Sequence, residues 1–120
     1  MKFVIIGGDA AGMSAASRAK RNRPDMDVIV LEKTSDVSYS ACGMPYNLAD
    51  SGRSMNDLVV RQAHVFRDRQ KIDLRTGHYA ETIDVNRKSV RGRAHNGGTF
   101  DVQYDKLLIA TGASPVIPKL

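Results

Sequence analysis

Val4-Ile5-Ile6-Gly7-Gly8-Asp9-Ala10-Ala11-Gly12-Met13-Ser14-Ala15 is the stretch whose reading decides the fold. Phe3 to Ile6 are apolar without alternation, as in a parallel strand covered on both faces. Gly7 and Gly8 end that run. Ala10 to Asn22 then reads as a helix whose first half is almost all small, so that it can lie close to a sheet. Its second half carries Arg18, Lys20 and Arg21, cations suited to the negative end of a helix dipole, and Pro24 closes it. Val28 to Leu31 is a second buried strand ending at Glu32, which completes a βαβ unit.

The glycines fit a dinucleotide fingerprint at Gly7 and Gly12, with Asp9 where a second glycine is expected. Gly7 serves the tight turn and Gly12 the close packing of helix on strand. Backbone N–H groups at the helix start can hold a pyrophosphate. Asp9 sets a carboxylate beside that place, and it either points outward or caps the helix. Glu32, 20 residues after Gly12, is positioned to accept from the hydroxyls of an adenosine ribose.

Beyond the βαβ unit the pattern predicts a short helix over 42–50 with Pro45 in its first turn, an amphipathic helix over 62–70 and a short strand over 72–75. Short runs separated by Asn86-Arg87 and Asn96-Gly97-Gly98 predict an antiparallel meander over about 79–103. Lys106 to Ala110 returns to a buried strand. Ser114 to Pro118 reads as a linker, and three parallel strands with a meander leave a sheet face poorly covered. These features point to a piece of something longer.

Composition narrows the function. The 120 residues suffice for one core, and no apolar stretch approaches the roughly 20 residues that span a bilayer. The opening lacks the long apolar segment of a signal peptide, so a cytoplasmic location and no membrane partner are expected. The net charge of +5 comes from arginines spread over many segments without an aromatic stacking platform, which argues against nucleic acid. His64, His78 and His95 lie far apart and show no ligand spacing, so no metal is expected. Cys42 is the one cysteine. Standing before a predicted helix in Ser38-Tyr39-Ser40-Ala41-Cys42-Gly43-Met44-Pro45-Tyr46, it reads either as a small buried hydrophobe or as a nucleophile favoured as thiolate.

Three motifs together resemble the single-cysteine flavoprotein disulfide reductases, the group that holds coenzyme A-disulfide and coenzyme A-dependent persulfide reductases, NADH oxidases and NADH peroxidases. They are Val4 to Gly12, Ser38 to Tyr46, and Tyr104-Asp105-Lys106-Leu107-Leu108-Ile109-Ala110-Thr111-Gly112-Ala113-Ser114-Pro115. The resemblance implies an α/β, Rossmann-like FAD-binding domain, a parallel sheet with helices and an inserted meander. This chain would be its first part, with NAD(P)H and dimerisation domains elsewhere and a homodimer at full length. It assigns Gly7, Gly8, Ala10, Ala11, Gly12, Glu32 and Lys33 to FAD, with Ala80 against the adenine and Ala110, Thr111 and Gly112 in the second flavin motif. It sets Cys42 beside the flavin ring as the catalytic residue. Electrons would pass from NAD(P)H through FAD to Cys42. Two-cysteine relatives use C-x-x-x-x-C, but Asn47 stands five after Cys42, so the oxidised state is a mixed disulfide, a persulfide or a sulfenic acid.

The proline of Cys42-Gly43-Met44-Pro45-Tyr46 is similar to the coenzyme A branch, which implies reduction of a coenzyme A disulfide or persulfide. Ser14, Arg18 and Arg21 share a helical face and, with Ser38, match that branch's substrate contacts. Ala41 and Gln70 depart from it, where Asn and Lys are usual, although Lys71 is adjacent. Three alternatives stand beside this reading: an NADH oxidase or peroxidase working through a Cys42 sulfenic acid, a nicotinamide-dependent dehydrogenase on the same βαβ unit, and a non-catalytic nucleotide-binding module with Cys42 in its core.

Overall fold

The computed structural model describes residues 1–39 and 41–119. Strand β1 (Lys2–Ile6), helix α1 (Ala10–Asn22) and strand β2 (Asp27–Glu32) form the βαβ unit with the expected parallel pairing, Val4 opposite Ile29 and Ile6 opposite Leu31. A 3-10 turn at Ala41–Gly43 leads into α2 (Met44–Ala49), whose first turn holds Pro45, and another at Met55–Leu58 precedes α3 (Ala63–Asp68). The chain continues through β3 (Asp73–Thr76), β4 (His78–Asp84), β5 (Ser89–Ala94), β6 (Thr99–Gln103) and β7 (Lys106–Ile109).

The parallel sheet has four strands in the order β3-β2-β1-β7, so the glycine turn after β1 sits between neighbours on both sides. The three meander strands form their own antiparallel sheet. Successive side chains of a strand face opposite ways. Ile5, Val28 and Val30 therefore pack with Met13 and Ala16 of α1, and with Val37, Phe66, Ile72 and Leu74. Val4, Ile6, Ile29 and Leu31 pack instead with Val90 and Val102 of the meander. Both faces being buried explains why β1 and β2 read as unbroken apolar runs.

Three expectations need correction. The sheet face thought to be poorly covered lies under the meander itself. The strand over 72–75 is not a separate piece but the fourth member of the parallel sheet, Val30 opposite Leu74. The helix over 62–70 is shorter, because the Ile72 N–H turns back to the Phe66 carbonyl at 3.2 Å and starts the path into β3.

Candidate functional site

Two close approaches build the site. Gly7 has φ +110°, and a Cβ there would stand 2.1 Å from the Ala110 carbonyl oxygen. A Cβ on Gly12 would stand 1.8 Å from the Gly7 carbonyl oxygen, so α1 can only cross the end of β1 this tightly if position 12 is glycine. Ala110, in the second motif, is thus packed against the first: its N–H donates to the Ile6 carbonyl at 2.8 Å.

Glu32 organises the turn. Its Oε1 accepts the N–H of buried Gly8 at 3.0 Å, and its Oε2 accepts both the N–H and the hydroxyl of Thr34 at 2.6 Å. Beside it, at the C-terminal ends of the parallel strands, lies a cleft of about 300 Å³. Gly7, Glu32, Lys33, Ala80 and Thr111 line it, five positions that the sequence assigned to one ligand from four separate segments. His78 and Tyr79 line it too, and sequence reasoning missed them. The available signal was Gly77, whose positive φ turns the chain into β4 just before them. His78 packs on Phe100 with ring centroids 5.3 Å apart, and its Nδ1 lies 2.8 Å from the Thr76 carbonyl oxygen.

Asp9 resolves as the N-cap of α1, with its carbonyl accepting the Met13 N–H at 2.9 Å. Its side chain makes no capping bond. The first-turn N–H groups of α1, which no helix satisfies internally, are therefore not consumed by Asp9. A strand-end cleft with an acidic wall and an adjacent uncapped helix start fits the adenosine and pyrophosphate half of a dinucleotide. Not every assigned residue joins the cleft. Ala11 is exposed, Ala10 faces the other side of α1, and a Cβ on Gly112 would meet nothing within 4 Å.

A second pair of clefts runs along α1. The first, of about 370 Å³, is lined by Ala10, Ser14, Ser17, Arg21, Ser38 and Arg61 among others. The second, of about 460 Å³, shares Ser17 and Arg21 with it and adds Lys20, Arg69, Gln70 and Lys71. Among the described residues, no carboxylate lines either. Ser38 and Lys71, at opposite ends, both have non-glycine backbones in the left-handed region, φ +54° and +57°. Of the expected substrate residues, Ser14, Arg21 and Ser38 come together, and Arg18 does not. At about 100° per residue, positions 10, 14, 17 and 21 centre on one side of the helix and Arg18 projects about 70° away from them. Arg61 and Arg69 went unnoticed because neither belongs to a motif.

Cys42 lies exposed in the 3-10 turn before α2. Its loop is pinned at the root: the Ser38 N–H donates to the Gly8 carbonyl at 2.8 Å and the Val60 N–H to the Ser38 carbonyl at 3.0 Å. Tyr39 pairs with Val59 in an antiparallel bridge. Asn47, where two-cysteine relatives carry the second sulfur, is buried and donates from Nδ2 to the Ser54 carbonyl at 2.9 Å. It secures the segment after Cys42. The exposure of Cys42 contradicts the reading of that residue as core. A larger groove of about 590 Å³ on the meander offers no comparable site. Its charges pair with each other, Arg91 with Asp101 at 3.1 Å and Arg93 with Glu81 at 2.6 Å.

This geometry, a dinucleotide-type cleft and a pinned thiol loop on one glycine turn, defines a Rossmann-like nucleotide-binding domain that carries an exposed cysteine. The chain is a member of the pyridine nucleotide-disulphide oxidoreductase family, whose model matches residues 1–120. It is 44% identical over 119 residues to an NAD(P)H coenzyme A polysulfide/persulfide reductase of Pyrococcus horikoshii, covering 99% of this chain and 26% of that protein. It is 30% identical over 120 residues to an NADH oxidase of Methanocaldococcus jannaschii, covering 100% of this chain and 27% of that protein. The solved NAD-dependent persulfide reductase of A. fulgidus superposes with a TM-score of 0.91 at 38% identity, over 98% of this chain and 23% of that one. The chain thus spans about a quarter of the length of the relatives it matches. Among the described residues, no helix is long and apolar enough to cross a membrane.

Proposed function

We propose that this chain supplies the first part of the FAD domain and the redox cysteine of an enzyme that reduces a coenzyme A disulfide or persulfide with electrons from NAD(P)H. The single observation that carries the reading is an exposed lone cysteine on a loop anchored, through Ser38, to the glycine turn that builds the dinucleotide cleft. The names of the P. horikoshii and A. fulgidus relatives support it. FAD, when bound, supplies acceptance of a hydride from NAD(P)H and delivery of two electrons to sulfur.

The turn of Gly7, Gly8 and Gly12 shapes the place of the FAD pyrophosphate, which Ala10 and Ala11 approach through their first-turn backbone N–H groups alone; Glu32 and Lys33 take the ribose, Ala80 the adenine, and Ala110, Thr111 and Gly112 the approach of the second motif. The Cys42 thiolate attacks one sulfur of the coenzyme A disulfide, a Cys42–substrate S–S bond forms, and the first coenzyme A leaves as thiolate. That mixed disulfide takes two electrons and returns the Cys42 thiolate with the second coenzyme A thiolate. With a persulfide, the attacked sulfur is the outer one, and reduction releases it as sulfide. Ser14, Arg18, Arg21 and Ser38 bind the substrate, Arg18 from the flank. We place NAD(P)H binding and dimerisation in other domains of a cytoplasmic homodimer.

The test is steady-state turnover of the complete gene product with coenzyme A disulfide, coenzyme A persulfide, peroxide and oxygen. The coenzyme A substrates are the better oxidants, and Cys42→Ser still allows flavin bleaching by NAD(P)H while losing their turnover. A strong preference for oxygen or peroxide would move the enzyme to the oxidase reading, which the M. jannaschii relative favours. Normal disulfide turnover in Cys42→Ser would remove Cys42 from the mechanism.

A further inference from the structure

We infer that Arg61, a residue outside every motif, determines specificity by binding the phosphates of the substrate opposite Arg21. The inference rests on the coenzyme A reading above. Arg61 lies on the segment between the Val59–Tyr39 bridge and α3, and its guanidinium stands 5.8 Å over the ring of Phe66, which is itself buried. That stacking and the Val60–Ser38 hydrogen bond fix the base of a long side chain that would otherwise lose considerable freedom on binding.

Arg61 lines the same cleft as Ser38 and Arg21, so two arginines from different elements border one space. Among the described residues, no carboxylate lines it and neither arginine takes part in an ion pair. Lys20, in the adjoining trough, donates to the Pro24 and Met26 carbonyls at 3.1 and 2.7 Å. Two planar, unneutralised donor forks on a common cleft match a ligand with two adjacent anionic groups, such as a nucleoside diphosphate arm. The cleft opens through Arg21 and Ser17 onto the basic trough of Arg69 and Lys71, which gives the rest of such an arm a continuous path.

The test compares coenzyme A disulfide with pantethine, which carries the same disulfide arm without phosphates, on the complete gene product. In Arg61→Ala the ratio of kcat/KM for coenzyme A disulfide over pantethine falls roughly tenfold, the scale of one lost charge-assisted contact at a partly exposed site. Arg61→Lys retains part of the ratio, and Phe66→Leu lowers it less than Arg61→Ala. Arg61 is exposed, so the two Arg61 variants keep the wild-type melting temperature, which is measured alongside, whereas Phe66→Leu lowers it because Phe66 is in the core. If the wild type prefers coenzyme A disulfide and Arg61→Ala keeps the full preference, Arg61 has no part in recognition. If the wild type shows no preference at all, the coenzyme A reading falls, and the role of Arg61 with it.

Discussion

Glu32→Gln separates two jobs that Glu32→Ala removes together. The carboxylate of Glu32 accepts from buried Gly8 through Oε1 and from Thr34 twice through Oε2. In Glu32→Ala the exposed Thr34 groups turn to water at small cost, but the Gly8 N–H is left without an acceptor. An unsatisfied buried donor costs about 1–3 kcal/mol, which is the expected loss of folding stability. In Glu32→Gln the amide oxygen still serves Gly8, and only Thr34 must find solvent, for a loss of about 0.5–1.5 kcal/mol at most. In the proposed FAD complex the ribose sees a different change. Its hydroxyls need a charged acceptor, and with the glutamine oxygen engaged by Gly8 they meet an NH₂ donor instead. Flavin should therefore bind roughly tenfold more weakly to Glu32→Gln, the equivalent of one charge-assisted hydrogen bond reduced by partial exposure. Denaturant unfolding of the apoprotein measures the first quantity, and flavin titration after dialysis the second. If Glu32→Gln retains flavin like the wild type while Glu32→Ala releases it, the carboxylate is only a scaffold for Gly8, and its assignment to the ribose is wrong.

Two further perturbations probe the frame of the site. Gly12→Ala puts a methyl within 1.8 Å of the Gly7 carbonyl oxygen and should cost about 1–3 kcal/mol or more as α1 is pushed off β1; unchanged unfolding in urea would mean that the crossing is looser than described. Leu31→Ala empties a fully buried position between the parallel sheet and the meander, with an expected loss of about 2–5 kcal/mol and faster proteolysis within 78–103; a loss below about 1 kcal/mol would show that the meander does not depend on this packing.

The parts of the fold that were legible are those in which local sequence and tertiary environment agree. The bounds of β1 and α1 follow from an unbroken apolar run, two glycines, a small-residue face and a proline stop. The strand β3 was not assignable to the parallel sheet because Asp73-Leu74-Arg75-Thr76 buries Leu74 alone and carries no periodic signal. The start of the meander was legible only approximately because a bulge between Ala80 and Thr82 leaves Glu81 out of the register and breaks the two-residue alternation of β4. In the site, Gly7, Glu32, Lys33, Ala80 and Thr111 converge on the cleft at the strand ends. His78 at that cleft, and Arg61 and Arg69 along α1, were invisible because only the three-dimensional path of β4, the Ser38–Val60 tie and the turn after α3 bring them into place. Arg18 shows the limit of helical spacing: i, i+4, i+7 selects a broad face, and the cleft is lined by one side of it, with Arg18 on the flank.

The glycine turn explains how one short motif can position two kinds of chemistry. Its amide edge is committed inward, Gly7 to the Leu31 carbonyl at 2.9 Å and Gly8 to Glu32, and this shapes the nucleotide cleft. Its carbonyl edge is committed outward: the Gly8 oxygen holds Ser38, the root of the Cys42 loop. Gly8 contributes to both edges, its N–H through the peptide unit before it and its carbonyl through the one after, so a shift of Gly8 that moves the cleft also moves the thiol loop. Such a shift is resisted because β1 is paired on both sides, to β2 and β7. The loop itself is short, six residues of α2 and a 3-10 turn with Tyr46 and Leu48 exposed, steadied by the Tyr39–Val59 bridge, the Val60–Ser38 bond and buried Asn47. Its tie to the cleft is the Ser38–Gly8 bond, which passes on the position of a strand paired on both sides. For the proposed electron passage between a group in the cleft and a sulfur on the loop, that tie matters more than the propensity of any residue between Tyr39 and Met44 to form a helix.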